Sequence, residues 1–493
     1  MNTRQYDAIV IGSGAGGAAA AYRLAQGGMR VALLEKGAHL PLDGSTLDIT
    51  RVVHRREFLS REPWLDGRGR ALVPEEHFNV GGKTKWYGAA LLRFAEHEFG
   101  ADPAHACPAW PITLADMAPY YEEAERLIGV RTFECEPDLA RILNRIAGDT
   151  GNGWRAQPMP LGLAPTIVSN RSEAARFDGF ASVAGLKGEA EQSILSALRS
   201  LGRFSLITNA EVTHLIGLPG VPETIIGVRL ADGTELRAPR VLLAAGALHS
   251  PRLLARYLSS TGLAQTLPAA RHVGRHLKLH LLTAMVALSP SRKTDLIRKT
   301  ALLTHARFAH SSVQPLGFDG ELISTLMPKL VPAWLGRQIG HRAYGFFLQT
   351  EDGSHQDNCV RESATAPVLD YDEARLPQAA REHRSFTRAF QAALAKAGIL
   401  SFTRRIGLSG TAHVCGTLRC GAEDSTSVVD AEGRVHGMRG LYVVDGSVLA
   451  RSSRVNPSLT IYAWGLRVGD LLAREYAREQ TRPIVTEEVL YAS

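Results

Sequence analysis

No segment limits the fold of this chain as tightly as residues 6–35. Ala8-Ile9-Val10-Ile11 is a short apolar run that ends at Gly12, and it predicts a buried parallel strand. Gly12-Ser13-Gly14-Ala15-Gly16-Gly17 follows, then a helix-prone stretch over Ala18–Ala25, then the second apolar run Val31-Ala32-Leu33-Leu34, which ends at Glu35. Glycines fit G-x-G-x-x-G at Gly12, Gly14 and Gly17. Alone that pattern is weak; between a strand and a helix it has the context it requires. Gly12 permits the tight turn, Gly14 lets backbone approach a pyrophosphate, and Gly17 allows close helix–strand packing. The helix N-terminus then faces the phosphate charge. A carboxylate at Glu35 can accept hydrogen bonds from a ribose diol. The unit reads as a dinucleotide site. The glycines do not separate a flavin from a nicotinamide dinucleotide, and a Gly-rich turn without a ligand stays open as the alternative.

Further along, the pattern alternates. Residues 40–80 are rich in Arg, Pro and Gly and predict loops with short helices. Leu114–Ile128 has helical spacing and stops at Gly129; Glu189–Leu201 is a second predicted helix. Phe204–Thr208, Val212–Gly217 and Ile225–Leu230 predict a small β-meander with a turn at Asp232-Gly233, and Val241–Gly246 a strand returning to the main sheet. Residues 276–405 carry strand-like runs at Leu281–Leu288 and Ala343–Gln349, a Pro-rich patch around 328–332 and a helix over 385–397. Strand, turn and long helix return over 440–475. Neither an internal repeat nor a low-complexity tract appears.

The C-terminal third carries Thr411-Ala412-His413-Val414-Cys415-Gly416-Thr417, Arg434-Val435-His436-Gly437, Leu441–Asp445 with Gly446, and Asn456-Pro457-Ser458-Leu459-Thr460. A histidine upstream of an Asn-Pro pair, with an Asp-Gly turn between, joins the N-terminal glycines. Asn79-Val80-Gly81-Gly82-Lys83-Thr84-Lys85-Trp86-Tyr87-Gly88 and Ala244-Ala245-Gly246-Ala247 lie between these ends. Together these segments resemble the glucose–methanol–choline (GMC) oxidoreductases. Pro108–Ile112, Met117–Tyr121, Asp178–Phe180, Lys187–Glu191, and Val273–Leu277 with His280 are similar to further stretches of that family. The likeness covers roughly residues 6–250 and 340–475, and residues 290–340 match nothing in it. His413-Val414-Cys415 stands where the family's His-Pro is usual, and Leu418-Arg419-Cys420-Gly421 where Cys-Arg-Met-Gly is.

The resemblance implies an α/β FAD-binding Rossmann-like domain of the glutathione-reductase type, plus an α+β substrate domain with an antiparallel sheet. Its implied layout gives the FAD domain residues 1–135, 191–275 and 425–493, a cap segment 136–190, and the substrate domain 276–424. FAD contacts are implied at Gly12, Ser13, Gly14, Ala15, Gly16, Gly17, Glu35 and Lys36, and again at Gly81, Gly82, Thr84, Lys85, Tyr87 and Gly88. Val212, Ala245, Gly246, Asp445, Gly446, Asn456, Pro457, Ser458 and Thr460 complete the implied set. Members with covalent flavin carry a histidine shortly after the Gly-Gly turn. Lys83 to Gly88 contain none, so the resemblance implies non-covalent FAD.

Oxidising an alcohol removes hydride from carbon and a proton from oxygen. Neutral imidazole suits the proton's acceptor, and His413 is the candidate; a core histidine bonded in a turn is the alternative. Asn456 can donate a hydrogen bond to the substrate oxygen while staying uncharged. It also reads as an Asn-Pro helix start. The expected activity is FAD-dependent oxidation of a CH–OH group on a small alcohol or sugar-like molecule, by an oxidase or a dehydrogenase. Lyase or decarboxylase chemistry on the same fold, and a non-catalytic flavin-binding protein, are the rivals. The electron acceptor, oxygen or another, is left unassigned.

Composition excludes other classes. Five cysteines, Cys107, Cys135, Cys359, Cys415 and Cys420, are odd in number and unpatterned, which fits a reducing compartment and no disulfide framework. The formal charge of +7 is mild over 493 residues. Its densest cluster, Arg51, His54, Arg55, Arg56 and Arg61, reads as a solvated face, without the aromatic interleaving of a nucleic-acid platform. His272, His276 and His280 are spaced by four, as a helical metal site would be, but Gly274 and the strand-like run that follows weaken the helix, and no metal is expected. The N-terminal residues show no apolar signal core, and the apolar runs are too short to cross a bilayer. A cytoplasmic protein without membrane insertion or nucleic-acid partner is expected.

Overall fold

A computed structural model of the chain describes residues 5–327 and 331–481. Part of the Pro-rich patch, 328–330, and residues 482–493 lie outside the described residues. The N-terminal unit folds as its sequence predicts. Ala8–Ile11 and Val31–Leu34 are fully buried strands, joined by the helix Ala15–Gln26. They form the centre of a five-stranded parallel sheet. Its order is Leu441–Val443, Val241–Leu243, Ala8–Ile11, Val31–Leu34, Phe204–Ile207. Three distant stretches of chain therefore build one sheet.

Small residues bring this unit together. A Cβ on Gly17 would lie 1.9 Å from the Gly12 carbonyl oxygen, and one on Gly16 would lie 1.6 Å from that of Val444. The long helix Ser458–Thr481 packs on Ala15–Gln26 through the same economy: a Cβ on Gly465 would lie 2.4 Å from the Gly16 oxygen. Helix Leu114–Ile128 starts in a Thr113/Asp116 capping box and ends at Gly129 in a left-handed conformation, φ 75°, where glycine has no Cβ penalty.

A second sheet has six antiparallel strands. Their order is Leu400–Arg405, His280–Leu288, Ala343–Glu351, Phe308–Pro315, Ala301–His305, Trp154–Pro158. One of its faces packs on the helix Pro377–Lys396, where Met285, Phe346 and Leu348 meet Phe386 and Phe390.

Two expectations are corrected. Phe204–Ile207 is an edge strand of the parallel sheet, not part of the meander. The meander is Val212–Leu218, Val221–Leu230 and Glu235–Arg237, with the turn at Asp232-Gly233. The helix over Glu189–Leu201 is two short turns, Ala190–Ile194 and Leu195–Leu198. Glu189 caps the first with its carboxylate, which accepts from Glu191 and Gln192 backbone amides. Leu195 and Leu198 are buried on the core that includes the parallel sheet. Tertiary packing overrides helical spacing there.

Candidate active site

A cavity of about 1340 Å³ runs from the glycine turn to the antiparallel sheet. That exceeds the roughly 300–1,000 Å³ of a site for one small ligand, and leaves room for a cofactor and a substrate together. At one end Gly12, Ser13, Gly14, Ala15 and Gly16 line it. A Cβ on Gly14 would meet no atom within 4 Å. The protein thus leaves open the space over that backbone, as close approach of a pyrophosphate demands.

Glu35 is buried beside this turn. Its Oε2 accepts from the Ser13 amide at 3.1 Å and the Ser13 hydroxyl at 2.6 Å; Oε1 accepts from the Gly37 amide at 2.9 Å. Ser13 Oγ in turn accepts from the Gly81 amide at 3.0 Å, which ties the second glycine pair to the first. Burial raises the carboxyl's pKa and these bonds oppose the rise. One lone pair on Oε1 remains for a ribose hydroxyl. Lys36 and Val212 line the cavity nearby.

Gly82, Thr84, Tyr87 and Gly88 also reach the cavity wall. Lys85 does not: its ammonium is buried against Glu189 at 3.0 Å and Glu191 at 2.6 Å. Gly81, Gly17 and Thr460 lie behind the wall, Thr460 sharing a 2.7 Å hydrogen bond with the Tyr121 hydroxyl. Ala245, Gly246, Asp445 and Gly446 form the middle of the wall. The buried Asp445 carboxylate accepts from the Gly246 amide at 2.8 Å and the Ser447 amide at 2.9 Å. This stitches the ends of two sheet strands into one rim. Asn456, Pro457 and Ser458 bring the start of the long helix to the cavity.

His413 and Asn456 meet there. Asn456 Nδ2 donates toward His413 Nε2 at 3.2 Å, and Gln314 Nε2 donates to Asn456 Oδ1. Behind His413 stands His280, at Nδ1–Nδ1 2.8 Å, with its Nε2 2.7 Å from the Ser453 carbonyl oxygen. A carbonyl only accepts, so His280 carries its proton on Nε2 and offers a lone pair at Nδ1. His413 must then donate from Nδ1, which leaves the Nε2 lone pair facing Asn456 and the cavity. Burial, then the His280 ring, Lys299 and Lys83, depress the His413 pKa well below the ordinary imidazole value. The ring is held neutral, with Nε2 as its acceptor nitrogen.

Ser453 has φ 65°, an uncommon conformation for a residue with a side chain. Two buried carboxylates hold it: its amide donates to Glu351 at 3.0 Å and its hydroxyl to Glu98 at 2.6 Å. Glu351 is itself paired with buried Arg451 at 2.7 Å. The loop that presents Asn456 is therefore fixed from behind.

The three spaced histidines form no common face. His272 ends a short helical turn, His276 has φ 61°, and His280 opens a strand. Sequence marks His280 by its spacing and by a family-like segment, but not as a partner of His413; that bond depends on a strand and a loop 133 residues apart in sequence. Gln314 and Lys299 gave no sequence signal at all, since each is a lone polar residue in a stretch without a motif.

Two family models match the chain: FAD dependent oxidoreductase over residues 7–164 and GMC oxidoreductase over residues 357–465. The chain is similar to 6'''-hydroxyparomomycin C oxidase of Streptomyces lividus, 29% identical over 97% of this chain and 93% of the relative. Paromamine 6'-oxidase of Streptomyces fradiae is also 29% identical, over 96% and 93%. Among solved structures, pyridoxine 4-oxidase from Mesorbium loti shares the fold, with TM-score 0.65 and 18% identity over 96% of this chain and 99% of that one.

Proposed function

We propose that this chain, which belongs to the GMC oxidoreductases and is an FAD-dependent enzyme, oxidises a CH–OH group with His413 as the base. The observation that carries the reading is the order of hydrogen bonds from Ser453 through His280 to His413, which leaves one imidazole lone pair on the cavity side. The relatives named as oxidases of hydroxylated molecules agree with it.

The residues fit the cofactor: an open Gly14 backbone, a buried Glu35 and a cavity long enough for it. Gly12 to Gly16 would hold its pyrophosphate, and Glu35 its ribose. Bound FAD supplies the acceptor for the hydride that leaves the alcohol carbon. The chain's own part concerns the oxygen. Asn456 Nδ2, which donates to His413 Nε2 in the free chain, gives its hydrogen bond to that oxygen instead, which orients the oxygen and frees the Nε2 lone pair. His413 Nε2 takes the hydroxyl proton as the C–O bond becomes a carbonyl, with Nδ1–H still donating to His280. Gln314 keeps the Asn456 amide from turning over, because it donates to Oδ1. Preorganised donors of this kind act on developing charge without reorganising.

We further read the FAD as non-covalent, since no histidine lies between Lys83 and Gly88. The five free cysteines support a cytoplasmic location, and no described helix is long and apolar enough to cross a membrane. Purified protein should be yellow, and acid precipitation should release intact FAD. Alcohols should bleach the flavin without oxygen and yield a carbonyl product. Flavin retained on the precipitated chain would overturn the non-covalent reading. Bound flavin that no donor bleaches would favour lyase chemistry or a binding protein.

A further inference from the structure

The cavity wall changes character with distance from His413. The strand His280–Leu288 places alternate side chains on opposite faces. His280 stands at its inner end against His413. Leu282, Ala284, Val286 and Leu288 follow on the same face, and all four line the cavity. Thr283 turns to the other face and bonds His383 of the packing helix. At about 3.3 Å per residue, Leu282 to Leu288 gives an apolar track of roughly 20 Å. Neighbouring strands widen it: Phe347 pairs with Ala284, Phe402 with Val286, and both line the cavity. Two large apolar side chains at the cavity, Leu326 and Phe402, are 51% and 57% exposed, beside exposed Thr403, Arg404 and Arg405.

Polar groups along the track are few and engaged. Gln314 serves Asn456, Lys299 pairs with Asp178 at 3.0 Å, and Arg405 pairs with Glu373 at 2.6 Å; exposed Arg404, opposite Ala284, is the exception, with no described side-chain partner. Elsewhere in the cavity Glu76 is held by Lys83 and His249, and Glu62 and Glu211 by Lys36. Three lining carboxylates have no described ion pair: Glu35 and Asp445, held by hydrogen bonds at the glycine turn and the strand rim, and half-buried Glu75, whose amide donates to the Ser409 carbonyl. A sugar needs a partner for each buried hydroxyl, and an unmade hydrogen bond is costly. A polyamine-bearing sugar also needs free carboxylates, and would instead meet Arg404, Arg405 and Lys299.

We propose that the substrate is an alcohol with a long-chain or polycyclic hydrocarbon body, its hydroxyl at His413 and Asn456 and its body along the His280–Leu288 strand. This rests on the alcohol-oxidising reading above and departs from the aminosugar substrates that the relatives' names carry.

The test uses the FAD-loaded full chain under anaerobic conditions. Second-order rates of flavin reduction are compared for ethanol, 1-hexanol, 1-decanol, glucose and paromamine. The rate should rise at least about tenfold from hexanol to decanol, in keeping with the worth of each buried methylene, and decanol should exceed glucose and paromamine by at least about a hundredfold. Val286→Asp should lower the decanol-to-ethanol rate ratio by about tenfold or more, for the carboxylate would sit in the track. The ratio is read only on protein that retains FAD. Faster reduction by glucose or paromamine, or rates flat with chain length, would overturn the substrate class and leave the oxidation reading intact. If none of these donors reduces the flavin, the oxidation reading fails. Decanol must then still perturb the bound flavin's absorption spectrum where glucose does not; its failure to do so would overturn the apolar site too.

Discussion

At the scale of single residues, the acceptor nitrogen of His413 is chosen by a neighbour that never touches substrate. His280 is a positioning residue. Its Nε2 is committed to the Ser453 carbonyl, so its Nδ1 accepts from His413. Replacing it with phenylalanine removes that acceptor and lets the His413 proton move to Nε2, where it blocks the base. His280 also helps depress the His413 pKa, after burial and alongside Lys299 and Lys83. The sign follows: a depressed imidazole stays neutral as pH falls through the ordinary value near 6.5, so loss of the base appears only below it. The acidic limb of kcat/KM, which reports the free enzyme, should lie below that value in the wild type. In His280→Phe it should move upward, and the rate of flavin reduction should fall by roughly 10–100-fold, the usual cost of an orienting partner. An unmoved limb with an unchanged rate would show that His280 only packs.

At the scale of elements, the glycine turn separates two demands that one motif conceals. Gly14 precedes the Ala15–Gln26 helix with φ −66° and ψ −170°, an extended conformation open to any residue, and a Cβ there meets nothing within 4 Å. Gly16 has no such freedom, since its Cβ would lie 1.6 Å from the Val444 oxygen. Gly14→Val should therefore give soluble, folded protein that binds no FAD, whereas Gly16→Val should fail to fold because it forces the Ala15–Gln26 helix away from Val444 at the sheet end and Ile461 of the C-terminal helix. Flavin content and circular dichroism of the two variants check this, and a Gly14→Val protein with full FAD would contradict it. Sequence made this unit legible because its causes are local: buried strands, a glycine turn and a closing acid within 35 residues. Phe204–Ile207 departs from its sequence pattern for the opposite reason. Its pattern fits any edge strand, and only pairing with Val31–Leu34 assigns it to the parallel sheet.

At the scale of the whole molecule, the site belongs to neither end of the chain. The dinucleotide turn comes from the first 35 residues, the proposed base and its amide partner from 413 and 456, and the apolar wall from a sheet whose outer strand, Trp154–Pro158, lies far from the rest in sequence. His413 and Asn456 were legible through resemblance to a family. Gln314, Lys299 and the Leu282–Leu288 track were not, because a lining side chain is defined by what faces it. The account stands on His413 as the base. Its most direct test is the rate of anaerobic flavin reduction in His413→Ala, measured with a demonstrated alcohol substrate and with FAD content equal to wild type. The rate should fall by about two to four orders of magnitude, the share that a general base contributes, and the deficit should shrink as pH rises and the alcohol ionises unaided. A rate within a fewfold of wild type at neutral pH would contradict the account and return the site to its lyase or binding-protein readings.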